Sequence, residues 1–282
     1  MDPWSHRLAN ALVGNDASAA TLESTLLGPE IEFDDERLVA LTGAEFDLSV
    51  DGRRRSMNTT FTVSAGSRLR IGARSSGARA YLAIAGGVAV QKVLGSRSTH
   101  LVSRLGGLSG RPLIAGDAVP LGPVGEAPIP TSLVTTARLP TPGQETRIRV
   151  LAGPHEERFT ADAIGLLQSA AYQVSNDSDR MGFRLVGPPL PHKGAADIIS
   201  DATPLGVLQV PGSGQPVLLM ADRQTTGGYP NLATVISADI GLAGQLAPGD
   251  RIRFDVCTAH DALSALIKLE QLLLPLERNA AS

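Results

Sequence analysis

Hydrophobic and polar positions alternate along much of the first half of the chain. Residues 46–50 alternate up to the turn pair Asp51-Gly52, and residues 68–71 alternate again. Short apolar or alternating runs also occupy residues 38–41, 53–57, 61–63 and 79–84. This pattern predicts an antiparallel meander, preceded by a helix over residues 2–13 that Asp2 and Pro3 begin.

The second half repeats short strands and adds two helical stripes. Strands are predicted over residues 146–151, 183–186, 206–210, 216–220, 233–236 and 250–256. A helix capped by Thr160 is predicted over residues 160–171, and a C-terminal helix over residues 258–276. Prolines crowd residues 123–145, which favours a linker there. We therefore expect domains at 1–145 and 146–257, followed by a helix and tail at 258–282.

Composition narrows the functional classes. Hydrophobic residues make up 43% of the chain and charged residues 19%, with a net charge of −3, so a large core is available and no global attraction to nucleic acid or anionic lipid is expected. Cys257 is the single cysteine, which excludes an intrachain disulfide and a multi-cysteine metal site. No apolar run approaches the roughly 18 residues that span a bilayer. The 30 glycines and 19 prolines favour many short strands, hence a mainly β fold.

Familiar catalytic motifs are missing from the sequence. It contains no GxxxxGK[ST] phosphate loop, no HExxH zinc motif, no GxSxG nucleophile elbow and no GxGxxG opening a helix after a strand. The five histidines do not pair at metal-ligand spacing. We predict no metal in this chain.

The densest polar cluster is the decapeptide 221–230 (ADRQTTGGYP), which follows an apolar strand. It combines a carboxylate, a guanidinium, an amide, two hydroxyls and a phenol with a glycine pair, through which backbone amides can approach a ligand. A capped turn, with Arg223 paired to Asp222 or Asp201, explains the same residues equally well.

Smaller clusters accompany the decapeptide. His155 follows a strand in a Gly-Pro turn and is a candidate general base, although a surface histidine is the simpler interpretation. Asp179 and Arg180 suit a structural ion pair. The glycine- and arginine-rich stretch 95–111 suits either an anion-binding nest or ordinary turns.

These clusters, in this order, resemble the KipA family, which is also called allophanate hydrolase subunit 2 or the C subunit of 5-oxoprolinase, and the second half of the urea-carboxylase carboxyltransferase domain. The resemblance spans about residues 1–256. Its segments are 79–87 (RAYLAIAGG), 94–99 (LGSRST), 106–111 (GGLSGR) with Gly116-Asp117, 153–155 (GPH), 178–182 (SDRMG), 197–201, 206–230, Ala238-Asp239 and 246–254 (LAPGDRIRF).

The resemblance implies a mainly β protein with two cyclophilin-like β-barrel domains and a few short helices. It implies a cytoplasmic complex with a KipI-type protein (allophanate hydrolase subunit 1) and a LamB/YcsF-type protein, which opens 5-oxo-L-proline to L-glutamate with ATP hydrolysis. Two alternatives stay open: a biotin-dependent carboxyltransferase component acting on urea or a related small molecule, and a regulatory antagonist of the KipI-type protein. Family members carry about 25–30 residues before the equivalent of Met1, so we expect the first domain to be N-terminally truncated.

Site roles follow as hypotheses. Arg223 would bind a carboxylate or phosphorylated intermediate and Asp222 would orient it, with His155 and Asp179 as candidates for proton transfer. The remaining candidates would bind substrate through amide, hydroxyl, guanidinium or backbone groups: Gln224, Thr225, Gly227, Gly228, Tyr229, Arg180 and Gln209.

Overall fold

The computed structural model describes residues 1–125, 139–140 and 143–281. The chain forms two compact units. We call one the barrel unit; it consists of Met1–Asp2, Ser76–Ala78 and Arg138–Glu270. The other, the sheet unit, consists of Pro3–Ser75, Arg79–Ala137 and Gln271–Ser282.

Residues 1–125, which the structure describes, hold one helix and six strands. They are α1 (Pro3–Leu12), β1 (Leu22–Thr25), β2 (Glu30–Glu32), β3 (Arg37–Val50), β4 (Arg53–Arg54), β5 (Thr60–Val63) and β6 (Arg68–Ile84). The six strands form one sheet in which the long strands β3 and β6 are neighbours.

Each long strand merges two predicted runs. Gly43 lies inside β3 and Gly77 inside β6, both with a positive φ that disfavours other residues. Glycine at such a position lets a strand bend and continue, whereas the sequence suggests an interruption. The sheet core contains Val39, Leu41, Leu69, Ile71 and Leu82, all essentially without solvent exposure.

The second half holds nine strands and three α-helices within the described residues. They are β7 (Glu145–Ala152), α2 (Ala163–Ser169), β8 (Tyr172–Val174), β9 (Gly182–Val186), β10 (Asp201–Ala202), β11 (Val207–Gln209), β12 (Val217–Leu219), β13 (Thr226–Gly227), β14 (Asn231–Val235), α3 (Ile240–Gly244), β15 (Arg251–Val256) and α4 (Ala259–Ala281).

Seven of these strands close into a barrel in the order β11-β12-β9-β8-β15-β7-β14. β15 pairs in parallel with β7, and the other neighbours are antiparallel. Large side chains fill the interior, among them Tyr172, Phe183 and Phe254, because inward positions alternate with outward ones along each strand. β10 and β13 pair separately as a two-stranded ribbon.

The prediction of a mainly β fold with few helices is confirmed. The predicted Thr160 cap is wrong: α2 begins at Ala163, after Asp162, and no side chain caps it. The domain bounds stay a prediction, and Pro128, Pro130 and Pro142 of the predicted linker lie outside the described residues. Among the helices that the structure describes, none is both long and apolar enough to cross a membrane.

Candidate functional site

The barrel unit contains a cavity of about 240 Å³. Four of the predicted site residues line it, namely Asp179, Gln209, Gln224 and Tyr229. The other lining residues are Asp177, Met181, Gly182, Arg184, Pro211, Val217 and Leu219. The cavity therefore joins the turn before β9, one face of β9 and β12, the end of β11 and the decapeptide.

Strand register explains which side chains face this cavity. β9 and β12 pair so that Arg184 lies opposite Val217 and Gly182 opposite Leu219. Directly opposed residues share a face of an antiparallel pair, and these four line the cavity. Phe183, between them, points into the barrel core. Arg184 is consequently an exposed cation on the cavity face.

Asp179 shapes the turn that leads into β9. Its Oδ1 accepts hydrogen bonds from the backbone N–H groups of Met181, at 2.8 Å, and Gly182, at 3.2 Å. The Ser178 hydroxyl accepts a bond from the Arg184 N–H at 3.1 Å. These bonds fix the turn at the cavity rim, while the predicted role of Asp179 in proton transfer stays a prediction.

The structure corrects the predicted partnership of Asp222 with Arg223. Asp222 instead pairs at two points with Arg180: Nε donates to Oδ2 at 2.9 Å and Nη2 to Oδ1 at 3.2 Å. Both side chains are partly buried, and the Asp222 N–H also donates to the Arg180 carbonyl at 2.9 Å. The bidentate pair thus ties the turn before β9 to the start of the decapeptide. The suggested Asp179–Arg180 pair is replaced by this one.

The Arg223 guanidinium donates hydrogen bonds to backbone carbonyl groups. Its Nε donates to the Thr203 carbonyl at 2.8 Å and its Nη1 to the Met220 carbonyl at 3.4 Å. No carboxylate within the described ranges lies within 4 Å of its guanidinium, and Arg223 is not among the cavity-lining residues. The contacts indicate that Arg223 holds the loop after Met220 against residue 203, and its predicted ligand-binding role stays untested.

Gln209 lies beneath the decapeptide and is only 3% exposed. Its Nε2 donates to the Tyr229 carbonyl, and its Oε1 accepts from Gln224 Nε2, both at 3.3 Å. A buried amide that satisfies both of its ends in this way fixes the two cavity-lining residues it touches. Gly227 packs against the same amide: a Cβ at this position would lie 2.6 Å from Gln209 Nε2.

The remaining decapeptide candidates anchor the segment through their backbones. The Thr225 carbonyl accepts from the Thr203 N–H at 3.0 Å, Gly227 pairs with Asp201 in the ribbon, and the Gly228 carbonyl accepts from the Ile198 N–H at 2.9 Å. These three residues do not line the cavity, so their predicted substrate contacts remain predictions.

His155 lies outside the cavity lining, beside the ribbon. Its Nδ1 accepts a hydrogen bond from the Asn231 N–H at 3.1 Å, so in the neutral ring the proton is on Nε2. Nε2 lies 3.4 Å from Asp201 Oδ2. The arrangement is a histidine oriented by a carboxylate, and the structure does not bring it together with Asp179 at the cavity.

Sequence reasoning missed Asp177 and Arg184 as site residues. Alternation on β9 is the signal that identifies Arg184, because Phe183 and Leu185 are buried while Arg184 between them is exposed. Asp177 carries no comparable signal. Within the described part of the chain, no group of three histidine, cysteine, aspartate or glutamate side chains is placed to hold a metal ion.

Residues 1–256 match the family model described as "Carboxyltransferase domain, subdomain A and B". The chain belongs to this family. It is 39% identical over 259 residues to the C subunit of 5-oxoprolinase from Escherichia coli, a match that covers 92% of this chain and 82% of that protein. It is also 36% identical over 273 residues to urea amidolyase of Saccharomyces cerevisiae, where the match covers 90% of this chain and 15% of the relative.

A solved structure of a urea amidolyase shows the same fold. The crystal structure of the K. lactis urea amidolyase superposes with a TM-score of 0.89 at 30% identity. That match covers 98% of this chain and 18% of the amidolyase chain, so this chain corresponds to a small part of that enzyme.

Proposed function

We propose that this chain is one subunit of an ATP-dependent 5-oxoprolinase, a cytoplasmic complex that opens 5-oxo-L-proline to L-glutamate together with a KipI-type and a LamB/YcsF-type protein. The similarity to the C subunit of the E. coli 5-oxoprolinase extends over most of both chains and supports this class of enzyme. The observation that carries the assignment of substrate to this chain is the small cavity of the barrel unit, whose partly apolar lining includes the polar side chains of Arg184, Gln224 and Tyr229.

The cavity suits a small polar molecule. Its volume of about 240 Å³ lies just below the ~300–1,000 Å³ of pockets for drug-sized ligands. 5-Oxoproline carries a carboxylate and a ring amide, and Arg184 supplies a cation for the carboxylate. Gln224 Nε2 donates a hydrogen bond to Gln209, so Gln224 Oε1 is left to accept a hydrogen bond from the ring N–H. The Tyr229 hydroxyl can donate to the ring carbonyl. Held in this way, the lactam carbonyl carbon is presented for attack by water, which breaks the ring C–N bond and leaves the new carboxylate and the amino group of L-glutamate.

The size of this cavity argues against ATP as its occupant, because about 240 Å³ is small for a nucleoside triphosphate. The chain also has no GxxxxGK[ST] loop. We therefore assign the nucleotide to another part of the complex and derive no step through it on this chain.

The urea amidolyase relatives favour one second candidate, a biotin-dependent carboxyltransferase component. Urea is smaller than 5-oxoproline and has no carboxylate. A carboxyltransferase would therefore need Gln224 and Tyr229 but would gain little from Arg184 in binding substrate. The cation on β9 is the feature of the cavity that distinguishes the two functions.

The test uses the complex reconstituted with its KipI-type and LamB/YcsF-type proteins. We expect 5-oxoproline-dependent ATP hydrolysis, and we expect Arg184→Met to lower kcat/KM by about 10–100-fold, the loss of a charge-assisted hydrogen bond. Arg251→Met, which removes an exposed arginine from β15 of the same barrel, is the matched control and should retain activity. Unchanged kcat/KM in Arg184→Met would remove the substrate assignment, and urea-dependent turnover with a biotin carboxylase would favour the second candidate.

A further inference from the structure

Residues 89–120 of the sheet unit form a long irregular excursion closed at its base. Val88 and Leu121 make a β-bridge, and the Ala89 N–H donates to the Pro120 carbonyl at 2.8 Å. No helix or multi-residue strand lies in this stretch, all of which the structure describes. Loops longer than about 12–15 residues without regular structure are uncommon in compact domains and usually serve a function.

The excursion is tightly built. A Cβ on Gly110 would lie 2.1 Å from the Arg104 carbonyl oxygen, and one on Gly107 would overlap the Thr99 side chain. Arg111 and Asp117 form a bidentate pair with both N–O distances at 2.8 Å. Such close backbone packing and cross-bonding define one shape for the segment.

This fixed shape presents apolar side chains to solvent. Leu94 is 96% exposed, in the left-handed region at φ 50°, and Val102 is 68% exposed. Folding of this unit does not bury them. A leucine in a disfavoured backbone conformation costs free energy, and here its side chain gains no burial in return. Residues strained in this way cluster at functional sites. The exposed apolar residues of the excursion are Leu94, Leu101, Val102, Leu105, Leu113 and Ile114.

The excursion is also basic in an acidic chain. Lys92, Arg97, Arg104 and Arg111 against Asp117 give residues 89–120 a net charge of +3, whereas the whole chain carries −3. Asp117 is already paired with Arg111. A partner surface that carries carboxylates around an apolar patch would complement both properties.

We propose that the excursion is the docking surface for the KipI-type protein, through a face of that protein that is apolar at its centre and acidic at its edge. The inference rests on the proposed function, which requires that partner. Serines 96, 98 and 103 interleave with the apolar residues. Their hydroxyls can be satisfied by a protein surface, whereas burial in hydrocarbon would leave them unpaired, so the pattern favours a protein over a lipid layer.

The test measures the affinity of the purified full-length chain for the purified KipI-type protein by titration calorimetry. We expect the double variant L94E/V102E to bind about tenfold or more weakly, because it places two carboxylates in the apolar patch. The double variant L27E/V186E is the matched control: Leu27 is 67% exposed and Val186 58% exposed, both outside the excursion. All four positions are exposed, so both variants should unfold at the wild-type temperature.

If L94E/V102E does not fold, a single charge variant still tests the proposal. Arg104→Glu should weaken binding and reduce its dependence on salt. Wild-type binding in both L94E/V102E and Arg104→Glu overturns the docking surface while leaving the proposed function intact. No binding by the wild-type chain overturns the partner itself and with it both proposals. Self-association or binding to anionic vesicles that L94E/V102E abolishes, with binding of the KipI-type protein unchanged, also overturns the proposal by assigning the surface to another occupant.

Discussion

The cavity of the barrel unit is lined partly by the strands β9, β11 and β12 and partly by the decapeptide, whereas the excursion of the sheet unit contains no helix or multi-residue strand. The decapeptide is polar, and its backbone and the Gln209 amide fasten it to neighbouring segments. The excursion is fastened mainly to itself, through close glycine contacts and the Arg111–Asp117 pair, and exposes leucine, valine and isoleucine. A small cavity with a few polar side chains suits a small substrate, whereas an exposed apolar patch suits a protein surface.

The position of the decapeptide depends on Gly227, which packs against the Gln209 amide. A Cβ in Gly227→Ala would lie 2.6 Å from Gln209 Nε2 and 3.1 Å from Thr203 Cγ2, so either the Gln209 amide that holds Gln224 and Tyr229 or the segment itself must shift. We expect about a 100-fold loss of kcat/KM in the reconstituted complex, the size of effect that a misplacement of about 1 Å can produce.

Gly228→Ala is the matched control for this change. Its Cβ would have one neighbour, the Ile198 carbonyl oxygen at 3.5 Å, which is an ordinary contact. The interpretation fails if both alanine variants retain wild-type activity, or if Gly228→Ala loses as much as Gly227→Ala.

Gln209→Leu tests the buried amide under the cavity. It removes the bonds to the Tyr229 carbonyl and to Gln224 and leaves both groups without that partner. We expect about a tenfold loss of kcat/KM and a stability cost of about 1–3 kcal/mol, measured by urea unfolding.

Gln215→Leu separates stability from site geometry. Gln215 also bonds at both ends of its amide, to the N–H and carbonyl of Gly187, but it does not line the cavity. It should lose stability and keep kcat/KM. Equal losses of activity in the two variants would contradict a specific role for Gln209.

Sequence alone predicted the fold class and some of the segments that line the cavity, but not which side chains in them pair with one another. Strand alternation and turn pairs indicate a mainly β chain, and the polar decapeptide predicts a site next to β12. The role of each arginine depends on tertiary contacts. Arg180 forms an ion pair with Asp222, Arg223 donates hydrogen bonds to two backbone carbonyls, and Arg184 lines the cavity. Without knowledge of which strands pair, the sequence does not distinguish the roles of these three arginines. Alternation on β9 is the local signal that separates Arg184 from the other two.

The smallest expected effect concerns the pair that closes the excursion. Hydrogen bonds from the Arg111 guanidinium, and then from the Ile114 N–H, lower the pKa of Asp117 from 3.8 to about 2. Because the folded-state pKa is lowered, the stabilisation is fully present above about pH 4 and is lost as the pH falls through about 2. The pair is partly exposed to solvent, so the change is local and small in the global unfolding temperature.

Limited proteolysis by pepsin detects such a local change. We expect cleavage within residues 108–118 to rise between pH 4 and pH 2 in the wild type, and Asp117→Asn to be cleaved readily at both. Asp35→Asn, which removes a two-point pair with Arg37 outside the excursion, should leave that cleavage unchanged. Equal cleavage of wild type and Asp117→Asn at pH 4 would show that the glycine contacts alone hold the excursion, and that its apolar surface does not depend on this pair.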